Sequence, residues 1–200
     1  MDPGGRTLGK WGKILSGVAA VIVPAIAALV LAVVPAAHAG TPPASPALRH
    51  SVEQLRASIG RWNVTTEFLR PDGSVAKTVE GTYAFSWVVP DRVVAGRSDI
   101  PELRQSSGLL FYVNESQATI EMASVGGDGK LWVMTGPLGG EVRTTPPYRT
   151  TAGGVGRLRF TRFKVTEGAF ESRMEYTEDD GKTWTPGNHQ TFRKAEPGKQ

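Results

Sequence analysis

The sequence of 200 residues contains no cysteine. This absence excludes a disulfide scaffold, a cysteine-ligated zinc or iron–sulfur site, a cysteine nucleophile and a lipid anchor attached to cysteine. Aromatic residues are few, at 8% of the chain, and 23 lysines and arginines are nearly balanced by 19 aspartates and glutamates. No cluster of basic residues follows residue 39, so we expect no nucleic-acid partner. The length favours a single domain.

The N-terminal part of the sequence has the pattern of an export signal. Three basic residues precede an uncharged, mostly apolar run over residues 14–34, and Ala37 and Ala39 then provide the small residues that a signal peptidase site requires. We therefore expect residues 1–39 to be a signal peptide for the general secretory route, which places the protein in the periplasm or outside the cell. The run of 21 residues is also long enough to cross a membrane as a helix, so an uncleaved anchor is the alternative.

The remaining chain is predicted to have three parts. Residues 40–48 contain three prolines and predict a flexible tether. Residues 49–195 are long enough to bury one sizeable core, and we expect them to form a single domain. Residues 196–200 are polar and are predicted to be a disordered tail.

Helical periodicity occurs in one place, at residues 49–59. Apolar residues there recur on one helical face, Ser51 is a suitable N-terminal cap, and Gly60 is expected to end the helix. The sequence thus predicts one short helix ahead of the main part of the domain.

After residue 60 the chain shows short segments of alternating polar and apolar residues, separated by turn signals every 8–12 residues. This spacing is typical of an all-β, antiparallel barrel or sandwich, and we expect 8–10 strands. The polar stretch at 144–156 is predicted to be a loop, the last strand to cover 184–193, and a change of alternation to mark a bulge at 161–162. Glu121 and Glu175 are predicted to face outward, away from the core.

A short motif at the start of the first strand gives more specific information about the architecture. Gly60 and Trp62 form a Gly-x-Trp motif between the helix and the first strand, and Arg193, or alternatively Lys194, lies on the last strand. This resembles the lipocalin and calycin barrels, in which the tryptophan closes the base of the barrel and a basic residue packs across its ring. A guanidinium over an indole face is worth about 0.5–2 kcal/mol.

Three further segments extend the resemblance over most of residues 49–194. Residues 83–87 read Tyr-x-Phe-x-Trp, residues 108–112 read Gly-Leu-Leu-Phe-Tyr, and residues 180–184 read Asp-Gly-Lys-Thr-Trp. Together they are similar to an exported or cytosolic family of lipocalin-like domains of unknown function. The resemblance implies a barrel, and it implies no particular chemistry.

Residues 177–184 match the Asp-box pattern of sialidase-type propellers. In this pattern Asp179 binds turn amides, Gly181 adopts a left-handed conformation and Trp184 covers the hairpin. Propellers carry several such boxes at regular spacing, whereas this sequence has one. We therefore predict that these residues have a structural role as a hairpin clip.

The sequence offers little for catalysis. Beyond residue 39 there are two histidines, His50 and His189, and neither has companions at metal-ligand spacing. A functional His189 would be a general base or a haem ligand, and its alternative is an ordinary strand histidine. We assign no catalytic residue, no metal ligand and no cofactor.

The barrel interior is the candidate functional site. Its predicted wall consists of aromatic residues, methionines and one histidine, namely Phe85, Trp87, Phe111, Met122, Trp132, Met134, Phe160, Phe170, Met174, Tyr176 and His189. A barrel of this size either fills its interior with side chains or leaves room for one small ligand.

Three functional hypotheses follow. The first is an exported protein that binds a small apolar or amphiphilic molecule inside the barrel. The second is a secreted or envelope interaction module with a filled core, acting through the 144–156 segment and an apolar patch at 146–148. The third is an enzyme that uses the same cavity, with His189 or a buried carboxylate as its acid–base group.

Overall fold

The computed structural model describes residues 45–196. The predicted signal peptide at 1–39, the tether as far as residue 44 and the tail from residue 197 onward lie outside the described residues. None of the described helices is long and apolar enough to span a membrane.

The helix α1 spans Pro46–Ser58 and begins three residues earlier than predicted. Its N-terminal cap is Ser45, whose hydroxyl accepts a hydrogen bond from the main-chain N–H of Leu48 at 3.1 Å, and a proline at the first helical position favours this start. The predicted cap, Ser51, is instead buried within the helix and accepts a hydrogen bond from the N–H of Gly139 at 2.8 Å. Residues 46–48 therefore belong to the helix, not to the tether.

The helix is followed by eleven strands, which are β1 (Gly60–Leu69), β2 (Val75–Val89), β3 (Val93–Ile100), β4 (Gln105–Asn114), β5 (Thr119–Gly126), β6 (Leu131–Pro137), β7 (Val142–Thr144), β8 (Tyr148–Arg149), β9 (Val155–Phe163), β10 (Ala169–Thr177) and β11 (Thr185–Lys194). Ten of them form one antiparallel sheet that closes on itself, because β11 pairs with β1 and β9 pairs with β10. The predicted all-β, lipocalin-like barrel with a short N-terminal helix is thus confirmed. Closure pairs the edges that an open sheet would expose.

The predicted loop at 144–156 contains regular structure. Its first residue, Thr144, ends β7, and Tyr148 and Arg149 form β8, which pairs with Gly156 and Val155 at the start of β9. This segment is therefore a small hairpin attached to the barrel. The prediction was wrong because strands of two or three residues are too short to show an alternating pattern.

The predicted bulge at 161–162 is absent from the described pairing of β9 and β10, whose register runs without a shift from Phe163 to Arg157. The alternation does not change along β9. Leu158, Phe160 and Arg162 all point into the barrel, so a charged residue occupies a position that the sequence pattern assigned to the exterior. The last strand also differs slightly, because β11 begins at Thr185 and Trp184 lies in the turn before it.

The core lies where the helix packs across one end of the barrel, which we call the helix end. Leu48, Val52 and Leu55 of α1 join a buried cluster with residues from seven strands, among them Trp62 and Phe192. Polar contacts hold the helix in this position at several points around the rim. These contacts run from Arg56 to Asp91, from Gln54 to Gly140 and from Arg162 to Gln54.

Candidate functional site

The barrel encloses a cavity of about 380 Å³. Its floor is formed by Gln54, Leu55 and Ser58 of α1, and its walls by inward-facing residues of the strands. Of the eleven residues that the sequence predicted for this wall, eight contribute to it, namely Phe85, Phe111, Met122, Trp132, Met134, Phe160, Phe170 and Met174. These eight residues share the inner face because side chains alternate between the two faces along a regular strand.

The wall is built partly from close packing between aromatic rings and glycine. Phe85 on β2 is the pairing partner of Gly96 on β3. Its ring covers Gly96, since a Cβ added to that glycine would lie 2.3 Å from a ring carbon of Phe85. Phe85 also contacts the ring of Phe111 edge-on, with centroids 5.6 Å apart. One side of the cavity is therefore lined by closely packed aromatic rings.

The other three predicted wall residues lie elsewhere. Trp87 packs against the buried cluster at the helix end, and Tyr176 lies beside Gly187, beyond the shift in register between β10 and β11. His189 is on the outer surface, because Asn188 and Gln190 on either side of it face the cavity. There its two ring nitrogens lie 3.1 Å from Glu67 and 2.9 Å from Glu171.

Two carboxylates on the outer face are more covered than predicted. Glu121 and Glu175 do point away from the cavity, but each is about nine-tenths buried. Glu121 accepts a hydrogen bond from the hydroxyl of Tyr112, and Glu175 accepts one from Arg159 at 2.9 Å. Neighbouring side chains on the outer face cover them, which a strand pattern alone does not reveal. Neither residue can act on a molecule inside the barrel.

A polar network inside the barrel was missed by the sequence analysis. The side-chain amide of Gln190 donates to the hydroxyls of Thr66 and Tyr83, both at 3.1 Å, and all three residues line the cavity. Burial raises the pKa of Tyr83 above its ordinary value, so its hydroxyl stays protonated at neutral pH. The inward alternation of β1, β2 and β11 would have identified these residues, had polar side chains been considered for the wall.

Two arginines on the cavity wall were missed as well. Arg143 on β7 is 3% exposed and Arg162 on β9 is 8% exposed. Gly136 on the neighbouring strand lets β7 approach closely, since an added Cβ there would lie 2.1 Å from the main-chain oxygen of Val142 and 3.2 Å from the Cγ of Arg143. The sequence does indicate an inward position for Arg162, because it follows Leu158 and Phe160 at intervals of two residues along one strand.

The Gly-x-Trp motif is placed as the resemblance implies. Gly60 begins β1 with a φ of 124°, a conformation that favours glycine, and Trp62 is 1% exposed. The basic residue across the indole is the alternative candidate Lys194, whose Nζ lies 5.8 Å from the ring centroid, and not Arg193. Lys194 is the direct pairing partner of Trp62, whereas Arg193 pairs with Asn63 and is exposed.

The residues of the predicted hairpin clip lie together and are joined by hydrogen bonds. Asp179 accepts hydrogen bonds from the N–H of Thr183 at 2.9 Å and from its hydroxyl at 2.7 Å, as well as from the hydroxyl of Thr177 at 2.6 Å. These hydrogen bonds hold the pKa of Asp179 well below its usual range, and the one from the Thr177 hydroxyl has the largest effect. Gly181 has a φ of 89° and lies against the ring of Trp184.

Within residues 45–196, no group of three or more histidine or acidic side chains is placed to hold a metal ion. The cavity wall itself contains no Asp, Glu or His among the described residues. Its chemistry is that of an apolar chamber with hydroxyl and amide groups along one side and two guanidinium groups near the helix end.

Comparison with known proteins finds similarity to solved structures at low sequence identity. No protein-family model and no curated protein matches the chain. The chain is similar to a protein of unknown function from the DUF3598 family of Nostoc punctiforme, with 10% identity and a TM-score of 0.45 over 71% of this chain and 49% of that one, so it spans about half the length of that protein. It is also similar to the S-type phycobiliprotein lyase CPES of Guillardia theta, with 10% identity and a TM-score of 0.44 over 76% of this chain and 99% of that one.

Proposed function

We propose that this protein is an exported binding protein that holds one small apolar or amphiphilic molecule inside its barrel. The observation that carries the proposal is the cavity of about 380 Å³, which falls within the range of roughly 300–1,000 Å³ typical of small-molecule sites. Its aromatic and methionine side chains suit an apolar guest, and the Thr66, Tyr83 and Gln190 network offers polar contacts.

The two other hypotheses from the sequence have less support. A filled core does not agree with a cavity of this volume. The surface proposed for an interaction module is also smaller than expected, because Tyr148 packs against Trp132 with ring centroids 5.4 Å apart, leaving Pro146 and Pro147 exposed. The enzyme hypothesis required His189 or a carboxylate inside the barrel, and the described wall contains neither.

The proposal is tested with N-phenylnaphthylamine, a neutral probe whose fluorescence rises in apolar surroundings. The full chain is expressed, and the protein released by the cells is titrated with the probe. We expect saturable binding that is lost in Ser124→Trp, because Ser124 lies on the cavity wall opposite Trp132 and an indole there fills the space. The matched control is Val125→Trp on the exposed outer face of the same strand, which should bind like the parent protein.

Absence of saturable binding by the parent protein would contradict the proposal. Equal binding by the parent protein and Ser124→Trp would also contradict it, because the probe would then occupy another surface.

Export is tested by the intact mass of the released protein. Cleavage after Ala39 predicts a chain that starts at Gly40. Ala39→Trp should leave the uncleaved chain with the cells, because a signal peptidase site requires a small residue at that position. A full-length chain recovered from membranes in the parent protein would instead support the anchor.

A further inference from the structure

Two guanidinium groups are buried at the helix end of the cavity, and they differ in how well they are neutralised. Arg162 donates from Nε to Glu141 at 3.1 Å and from Nη1 to the main-chain oxygen of Gln54 at 3.1 Å. Arg143 has no ion pair with any carboxylate among residues 45–196. Its single hydrogen bond in the described structure runs from Nη2 to the side-chain oxygen of Gln54 at 3.0 Å.

The charge around the cavity is therefore unbalanced. Among residues 45–196, Glu141 is the one carboxylate near both arginines, and its second oxygen already lies 3.1 Å from His50. Burial pushes the pKa of Glu141 upward, but the charge and hydrogen bond of Arg162, together with hydrogen bonds to Gln54 and His50, outweigh burial and bring this pKa below its ordinary value. One negative charge thus faces two positive charges, and the excess belongs to Arg143.

Arg143 is also short of hydrogen bonds. Its Nε is buried and has no partner among the described residues, although a guanidinium carries five N–H donors. Burial, followed by repulsion from Arg162, lowers the pKa of Arg143 to about 10, so the group still carries its charge at neutral pH. A buried cation with an unsatisfied donor is costly to a fold, which points to a partner from outside the chain.

The surroundings of Arg143 indicate what kind of partner fits. Its Cζ lies 5.8 Å from the ring centroid of Phe160, and both side chains line the cavity, so the charge borders directly on apolar wall. One excess positive charge calls for one negative charge. A carboxylate matches the planar guanidinium in shape, and an apolar body attached to it would lie among Phe160, Phe170 and Met134.

We propose, building on the proposed function, that the molecule held in the barrel is a carboxylate with an apolar body, and that Arg143 binds its carboxylate at the helix end of the cavity. The acid lies with its charged end at Arg143, beside α1, and its apolar body against the aromatic and methionine side chains of the cavity wall. Arg162 and Gln54 position Arg143 and keep the second positive charge neutralised through Glu141.

The test uses decanoate and decanol, which share one apolar chain and differ in charge. Each compound competes with N-phenylnaphthylamine for the full chain released by the cells. In the parent protein we expect decanoate to displace the probe at about tenfold or more lower concentration than decanol, the size expected for hydrogen bonds to a charged group. In Arg143→Met this preference should disappear, with each displacement compared against the affinity of the variant itself for the probe.

The matched control is Arg193→Met, which removes an exposed arginine on the outer face of β11 and should keep the preference for decanoate. Arg143→Lys keeps the charge but not the planar fork, and should retain only part of the preference. Even where a variant folds poorly, the difference between decanoate and decanol in the parent protein still tests the inference.

The possible outcomes separate this inference from the proposed function. Failure of N-phenylnaphthylamine to bind the parent protein overturns the binding function itself. Probe binding with decanol competing as well as decanoate overturns only the carboxylate inference. A preference for decanoate that persists in Arg143→Met likewise overturns the role of Arg143.

Discussion

The indole Nε1 of Trp62 donates a hydrogen bond to the main-chain oxygen of Ser58 at 2.8 Å. This bond joins the first strand of the barrel to the last turn of α1, where main-chain oxygens lack partners within the helix. The tryptophan of the Gly-x-Trp motif therefore does more than fill the base of the barrel. It fixes the helix that forms the floor of the cavity.

Replacing Trp62 with phenylalanine tests this connection. The variant keeps an aromatic ring in the core but leaves the oxygen of Ser58 without its donor, and we expect the free energy of unfolding to fall by about 1–3 kcal/mol. Urea unfolding measures the change. Trp87→Phe is the control, because the indole of Trp87 makes no hydrogen bond among the described residues. Equal losses in both variants would show that ring size, not the hydrogen bond, matters.

Asp179 makes stability depend on acidity. Its pKa is lower in the folded protein than in the unfolded chain, because it accepts hydrogen bonds from Thr177 and Thr183. Its contribution is therefore present above the unfolded pKa of about 4, and it is lost as pH falls towards the folded pKa. In Asp179→Asn we expect lower stability at neutral pH and a weaker dependence of thermal midpoint on pH below about 4. Glu178→Gln is the neighbouring control, and an unchanged pH profile in Asp179→Asn would contradict the prediction.

The two buried arginines should respond to the same substitution with opposite signs. Arg143→Met removes an unpaired buried charge, and we expect the ligand-free protein to gain about 1 kcal/mol in free energy of unfolding. Arg162→Met removes one partner of an ion pair and leaves the part-buried Glu141 without its guanidinium, which should cost about 2 kcal/mol. Chemical unfolding of both variants at low salt checks the signs. A loss of stability in Arg143→Met would mean that its single bond to Gln54 outweighs the buried charge.

His189 and Asn188 provide a direct test of which face of β11 belongs to the site. Asn188 lines the cavity, and His189 lies outside between Glu67 and Glu171. Asn188→Phe should therefore weaken binding of N-phenylnaphthylamine by filling the cavity, whereas His189→Phe should leave it unchanged. Weaker binding in His189→Phe would mean that this histidine belongs to the binding site.

The successes and failures of the sequence analysis have specific physical reasons. The alternation of apolar residues in β1, β4 and β10 predicts the inner face of the barrel because a strand turns every second side chain to the same side. It failed for Arg162, since a buried charge is rare and the pattern treats arginine as a surface residue. It failed for His189 because a glycine and a proline obscure the alternation at the start of β11.

Choosing between neighbouring basic residues was also beyond the sequence. Arg193 and Lys194 both follow the last apolar residue of β11, and only the pairing of Trp62 with Lys194 decides which one crosses the indole. A register depends on how two distant strands meet, which neither strand specifies alone. The same holds for the cap of α1, where Ser45 and Ser51 are both suitable by residue type.

The sequence by itself determined the class of fold, the position of the single helix, the Asp179 clip and most of the apolar wall, because these depend on local turns and on alternation within one strand. Tertiary structure alone decided that the barrel contains a cavity, since that volume depends on the sizes of side chains from ten strands and one helix. It also decided that Arg143 and Arg162 both bind Gln54, while the carboxylate of Glu141 pairs with Arg162. Charges far apart along a chain interact only after the fold has brought them together. Because the two guanidinium groups are brought together in a buried place, the cavity is suited to bind a carboxylate.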